Sequence, residues 1–101
     1  EENLSFLVDS GATYSLLPAQ VWESIGLAAT REKSFTLADG TTIERRISEC
    51  FMMLSQGETH TPVILGEPGD EALLGVVTLE ELGLVFNPFS RTLHPMRMML
   101  A

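Results

Sequence analysis

The stretch LVDSGAT, residues 7–13, ends an apolar run on a carboxylate, Asp9, and follows it at once with Ser10 and Gly11. An apolar strand has no structural need of a charge at its end. Two readings compete. One is an ordinary strand exit, since Asp, Ser and Gly all form turns readily. The other is a carboxylate delivered to a site by a sharp turn that Gly11 permits. A carboxylate can take or give a proton, and two that share one proton can do both at once. Such a pair needs a second acid, which a twofold axis between two copies of the chain would supply without a second motif.

Ser10 as a nucleophile would require a histidine base and an oxyanion hole. His60 and His94 stand in strand or turn contexts without triad-like surroundings. A hydroxyl that hydrogen-bonds across a subunit boundary accounts for Ser10 better, because a buried polar group must find a partner. No Cys/His spacing fits zinc, and no metal or cofactor is expected. Asp39 reads first as a turn former and Asp70 as a loop acid. Trp22 reads as core rather than as a ligand platform.

The elements that must position Asp9 follow from periodicity. Residues 4–8, LSFLV, read as a strand with Leu4, Phe6 and Val8 on one face. Pro18 suits the first position of a helix, Val21, Trp22 and Ile25 share a helical face, and Gly26 is a natural stop. SFTLA (34–38), the turn signal Asp39-Gly40 and residues 41–48 read as a hairpin, with Arg45 and Arg46 toward water. CFMML (50–54), a turn at 56–58 and TPVILG (61–66) read as a second hairpin. ALLG (72–75) is a short apolar strand ending in glycine. Thr78 and Glu81 have capping-box spacing, and Gly83 closes that helix. LVF (84–86), a turn at 87–90 and a tail with Met96, Met98, Met99 and Leu100 finish the chain; that tail suits core, a dimer seam or a peptide-binding strand. WESIGL (22–27) and LEELGL (79–84) each follow a short apolar strand and a glycine turn, a repeat that suggests an internal pseudo-twofold.

Bulk properties narrow the classes. At 101 residues with 45% hydrophobic content, the chain is one domain with a modest core that a partner subunit would help. A net charge of −8 argues against nucleic-acid or anionic-membrane partners, which need clustered Lys and Arg. The single cysteine, Cys50, forbids an internal disulfide. With no visible signal peptide or membrane span, the expected location is cytoplasmic.

FLVDSGAT, FTLADGTTI and ALLGVVTLEELGL, in that order, resemble a retropepsin-like aspartic protease of the small single-domain bacterial and archaeal type. The resemblance covers nearly the whole chain. It implies a mainly β fold, a closed acid-protease barrel with one or two short helices, and a homodimer with its active site on the twofold. It assigns Asp9 as the catalytic aspartate, Ser10 as the hydroxyl that locks the two active-site turns together, and Gly11 as the turn glycine. Ala12 lies beside the substrate, and the hairpin around Leu37–Ile43, with Ala38, Asp39 and Gly40, matches the flap over bound peptide. Leu73, Leu74 and Gly75 match the segment packed beneath the catalytic loop, with Val76 flanking the site. Family members carry an N-terminal strand or hairpin before the catalytic strand; here eight residues precede Asp9, so the domain over 1–101 is expected to lack it. The flap has only Gly40 near its tip.

The chemistry this implies is hydrolysis of a peptide bond in an extended peptide or protein substrate. One carboxylate takes the proton of water while the other protonates the carbonyl oxygen. Like charges roughly 3 Å apart cannot both ionise comfortably, as aspartic proteases in general exemplify. The competing class is a non-catalytic dimerisation or peptide-binding module on the same fold. Such a module would have no use for a paired carboxylate that costs stability.

Overall fold

Alternating burial over residues 42–54 builds the longest element of the computed structural model, which describes residues 4–95. In chain order the elements are β1 (Leu7–Val8), β2 (Ser15–Leu17), α1 (Ala19–Ser24), β3 (Arg31–Thr36), β4 (Thr42–Leu54), β5 (Gly57–Leu65), β6 (Leu73–Leu74), α2 (Val76–Glu81), β7 (Leu84–Asn87) and β8 (Thr92–Pro95). The molecule is mainly β with two short helices. The Met96–Leu100 tail lies outside the described residues.

Strands expected at 41–48 and 50–54 are one strand. Glu49 and Cys50 stay in register opposite Pro62 and Thr61, so nothing interrupts the ladder. β4 changes partner along its length. Residues 42–47 pair with β3 and residues 47–54 with β5; Ile47, which pairs with both Arg31 and Ile64, is fully buried at this junction. The β3–β4 hairpin therefore projects beyond β5 as a two-stranded arm.

β1 and β2 follow one another in sequence but do not pair. β6 slots between them, parallel to β1 (Leu7↔Leu73, Val8↔Leu74) and antiparallel to β2 (Leu16↔Leu73). The two copies of the sequence repeat thus begin as neighbouring parallel strands, with β2 inserted before the first helix. The sheet order is β1-β6-β2-β5-β4-β3, and β7–β8 form a separate ribbon.

The expected closed barrel is not formed. β1 bonds only to β6 and β3 only to β4, and no strand among the described residues joins those two free edges. The sheet is open because its last strand belongs to the projecting arm and the β7–β8 ribbon pairs only with itself.

The core lies where α1, α2 and β7 cover the sheet. Leu17, Val21, Met52, Val63, Leu65, Leu74, Leu79 and Leu84 form one buried cluster, with Trp22 partly buried against it. Trp22 donates its indole N–H to the Gly66 carbonyl at 2.8 Å, and the Arg46 guanidinium lies 5.2 Å from the centre of its ring. Both helices end before a glycine at positive φ, Gly26 and Gly83. The expected capping box is absent, because α2 starts after Gly75 and Thr78 lies inside the helix. The Thr78 hydroxyl turns inward to Ser15 and Thr61 instead.

Candidate active site

Asp9 sits where β1 ends and the chain must pass over the end of β6 to reach β2. Its N–H donates to the Leu74 carbonyl at 3.0 Å, which continues the parallel ladder by one bond. Its carbonyl accepts the Ala12 N–H at 3.0 Å and closes a four-residue turn. Within that turn Asp9 Oδ1 accepts the Gly11 N–H at 2.9 Å. Oδ2 has no hydrogen-bond partner among the described residues, and the side chain is only half-buried. Gly11 does not adopt positive φ. Space is tight there instead: a Cβ would lie 3.3 Å from Asp9 Oδ1, so a side chain would press on the carboxylate.

The far side of the turn is held by the start of α2. Val76 N–H donates to the Ala12 carbonyl at 2.8 Å and Val77 N–H to the Thr13 carbonyl at 2.9 Å. These helix-end donors would otherwise be unpaired. Gly75 is buried directly against this segment. A Cβ on it would lie 2.5 Å from the carbonyl carbon and oxygen of Tyr14 and 3.0 Å from the Ala12 oxygen. Leu73, Leu74 and Gly75 thus lie immediately beside the Asp9 turn.

A cleft of about 350 Å³ opens between the turn and the β3–β4 arm. Ala12, Tyr14, Phe35, Leu37, Ile43 and Leu73 are among its lining residues. Tyr14 and Phe35 meet edge to face across it, ring centres 5.9 Å apart at 87°. Arg45, expected to face water, lines the same cleft and forms an ion pair with Glu67.

At the tip of the arm Asp39 folds onto its own loop. Its Oδ1 accepts the Thr41 N–H at 2.9 Å and the Thr41 hydroxyl at 2.5 Å, and Gly40 adopts φ +89. These bonds, the hydroxyl first, hold the Asp39 carboxyl below the ordinary value of 3.8. Because the folded value is depressed, its contribution to loop order is present at neutral pH and is lost as pH falls through the folded pKa. NMR titration of the side-chain carboxyl should place Asp39 below 3.8, and Thr41→Val should move it upward. An unchanged midpoint in the variant would remove the hydroxyl as the cause.

The structure therefore brings Gly11, Ala12, Leu37 and Leu73 together in one cleft; Asp9, two residues before Gly11, is not among its lining residues. Ala38, Asp39 and Gly40 stand exposed at the arm's tip and do not line it. Val76 lies elsewhere, with Ser10 in a shallow depression of about 260 Å³ bounded by Leu79, Leu84 and Phe86. Ser10 is exposed, and its hydroxyl has no partner among the described residues. His60 stacks near Phe51, ring centres 4.8 Å apart, and His94 bonds Thr92 at 2.7 Å; neither is hydrogen-bonded to Ser10.

The half-buried Asp9 thus stands on the turn that leaves β1, and the next residues of that turn, Gly11 and Ala12, line the apolar cleft under the hairpin. Residues 1–81 match the family described as "gag-polyprotein putative aspartyl protease". The chain belongs to the retropepsin-like aspartyl protease family. A comparison with curated proteins gave no match. As an aspartyl protease family member it carries its single Asp-Ser-Gly turn inside the matched span, together with the arm and α2. Sequence reasoning did not single out Tyr14, Phe35 and Arg45 as cleft residues, nor Ser15, Thr61 and Thr78 as a buried hydroxyl cluster. Alternation placed Phe35 on one strand face, but only the arm's angle against β2 brings it to Tyr14.

Proposed function

We propose that the protein is a homodimeric aspartic endopeptidase. Two copies of Asp9, one from each subunit, face each other across a twofold and hold a water molecule between them. One carboxylate takes the water's proton as the oxygen attacks the peptide carbonyl carbon, while the protonated partner gives its proton to the carbonyl oxygen. The resulting gem-diol collapses as the carboxyl that took the water's proton gives it to the amine nitrogen and the other carboxylate takes a hydroxyl proton; the C–N bond breaks, acid and amine leave, and the pair again holds one proton. Peptide lies extended in the cleft under the β3–β4 arm, with apolar side chains against Tyr14, Phe35 and Ile43.

The observation that carries this reading is the state of Asp9. One carboxylate oxygen accepts the Gly11 N–H and the other has no hydrogen-bond partner among the described residues, on a turn whose Gly11 and Ala12 line the cleft. In the dimer, the Ser10 hydroxyl, exposed in the single chain, bonds across the boundary.

Activity should therefore depend on assembly. Specific activity toward an apolar peptide is expected to fall on dilution in step with the dimer fraction from sedimentation velocity. Full specific activity in a purely monomeric sample would exclude the shared pair, and a dimer without cleavage at any pH from 4 to 7 would favour a binding module.

A further inference from the structure

Asp9 is held by main chain, and that main chain is held by three buried hydroxyls. Ser15 on β2, Thr61 on β5 and Thr78 on α2 are each 0% exposed. Ser15 Oγ lies 2.5 Å from Thr78 Oγ1, which lies 2.8 Å from Thr61 Oγ1. The Gly75 N–H donates to Ser15 Oγ at 3.0 Å.

The Gly75 N–H makes Ser15 Oγ an acceptor at one end; in the Ser15–Thr78 and Thr78–Thr61 pairs either oxygen can donate. Hydroxyls bonded in a chain polarise one another, so each bond strengthens the next.

We propose, resting on the peptidase reading, that Ser15, Thr78 and Thr61 are positioning residues for Asp9. The Gly75 amide they hold stands between the two contacts that fix the Asp9 turn. Before it is Leu74, whose carbonyl accepts the Asp9 N–H at 3.0 Å; after it is Val76, whose N–H donates to Ala12 at 2.8 Å. Gly75 brings no side chain to the contact, so the hydroxyl chain is what locks its amide in place. Packing alone would be served as well by alkyl groups, since replacing polar partners with apolar ones of the same shape is close to neutral. What alkyl groups cannot do is hold an amide at a fixed distance, and a displacement of about 1 Å at a reacting group costs on the order of a hundredfold in rate.

The test compares Thr78→Val, which keeps the shape and removes the hydroxyl, with Thr78→Ser, which keeps the hydroxyl. Thr78→Val is expected to lower kcat about a hundredfold with KM little changed, and Thr78→Ser to restore most of the loss. Equal kcat per folded molecule in wild type and Thr78→Val would overturn the proposal, as would a Thr78→Ser variant as slow as the valine. Amide hydrogen exchange gives a readout that needs no substrate. In Thr78→Val the Asp9 and Gly75 amides should exchange faster while those of Val63 and Leu65 do not; uniform acceleration would mean a structural role only. Should Thr78→Val not fold, Thr61→Val, at the far end of the run, is read in the same two ways with a smaller expected loss. If the wild-type protein cleaves no peptide, the peptidase reading fails by itself, and the exchange pattern still decides whether these hydroxyls hold Asp9.

Discussion

Asp9→Asn is expected to reduce peptide cleavage by at least about a thousandfold while leaving the chain folded and the dimer intact. The substitution is nearly isosteric. The amide oxygen of Asn can still accept the Gly11 N–H that Asp9 Oδ1 accepts at 2.9 Å, so the turn keeps its internal bond. The main-chain bonds to Leu74 and Ala12 do not involve the side chain at all. What is lost is the ability to take a proton from water, and in a symmetric dimer it is lost twice. In the proposed dimer the substitution replaces a singly ionised carboxyl pair by two neutral amides, so no charge is left at the axis to weaken the assembly. Initial rates on an apolar fluorogenic peptide, with circular dichroism and sedimentation on the same sample, check all three points. Cleavage equal to wild type would end the assignment of Asp9. Loss of the fold together with activity would instead make Asp9 a structural residue of the turn.

Gly75→Ala is expected to destabilise the protein by about 3 kcal/mol or more, at the upper end of what overpacking costs. The backbone conformation is not the reason. Gly75 has φ −97 and ψ 176, which alanine adopts readily. The obstacle is space. The added methyl would stand 2.5 Å from the Tyr14 carbonyl carbon and oxygen, and these are backbone atoms that cannot rotate away. Relief requires β6 and the turn leading into β2 to separate, which breaks the Val76–Ala12 and Asp9–Leu74 bonds together. The gain of about 0.4–1 kcal/mol from a stiffer unfolded chain is too small to offset this. Urea unfolding of wild type and variant measures the difference. A change within about 0.5 kcal/mol would be the ordinary result for an uncrowded site and would show that the contact between Gly75 and Tyr14 is not as tight as described. The variant's folded fraction should also cleave more slowly, because the atoms displaced are those that carry Asp9.

The two predictions depend on different kinds of information. Asp9 could be picked out from the chain alone. A charge set on the end of an apolar run, with Ser10 and Gly11 behind it, is a local pattern. The hairpin around Asp39-Gly40 was equally visible, because a turn residue with positive φ and alternating strands are local too. So were the helix stops at Gly26 and Gly83. Local signals misled at Thr78, where cap spacing matched a helix start that in fact lies at Gly75, and at Glu49-Cys50, where two strands are one. In both cases a tertiary partner decided: Ser15 and Thr61 draw the Thr78 hydroxyl inward, and β5 supplies an unbroken ladder.

By itself, then, the chain determined its family, its mainly β character, the acid that could do chemistry and the turn that presents it. The acid, its turn and the strand pattern rest on residues close in sequence, and the family on three such segments in their order along the chain. Tertiary structure decided that the sheet stays open, that Tyr14, Phe35 and Arg45 share a cleft, and that Gly75 has no room for a side chain. These depend on β6 lying between β1 and β2, which pairs Leu7 with Leu73 across most of the chain. No local propensity encodes that pairing; it follows from burying one apolar cluster under both helices and β7 at once.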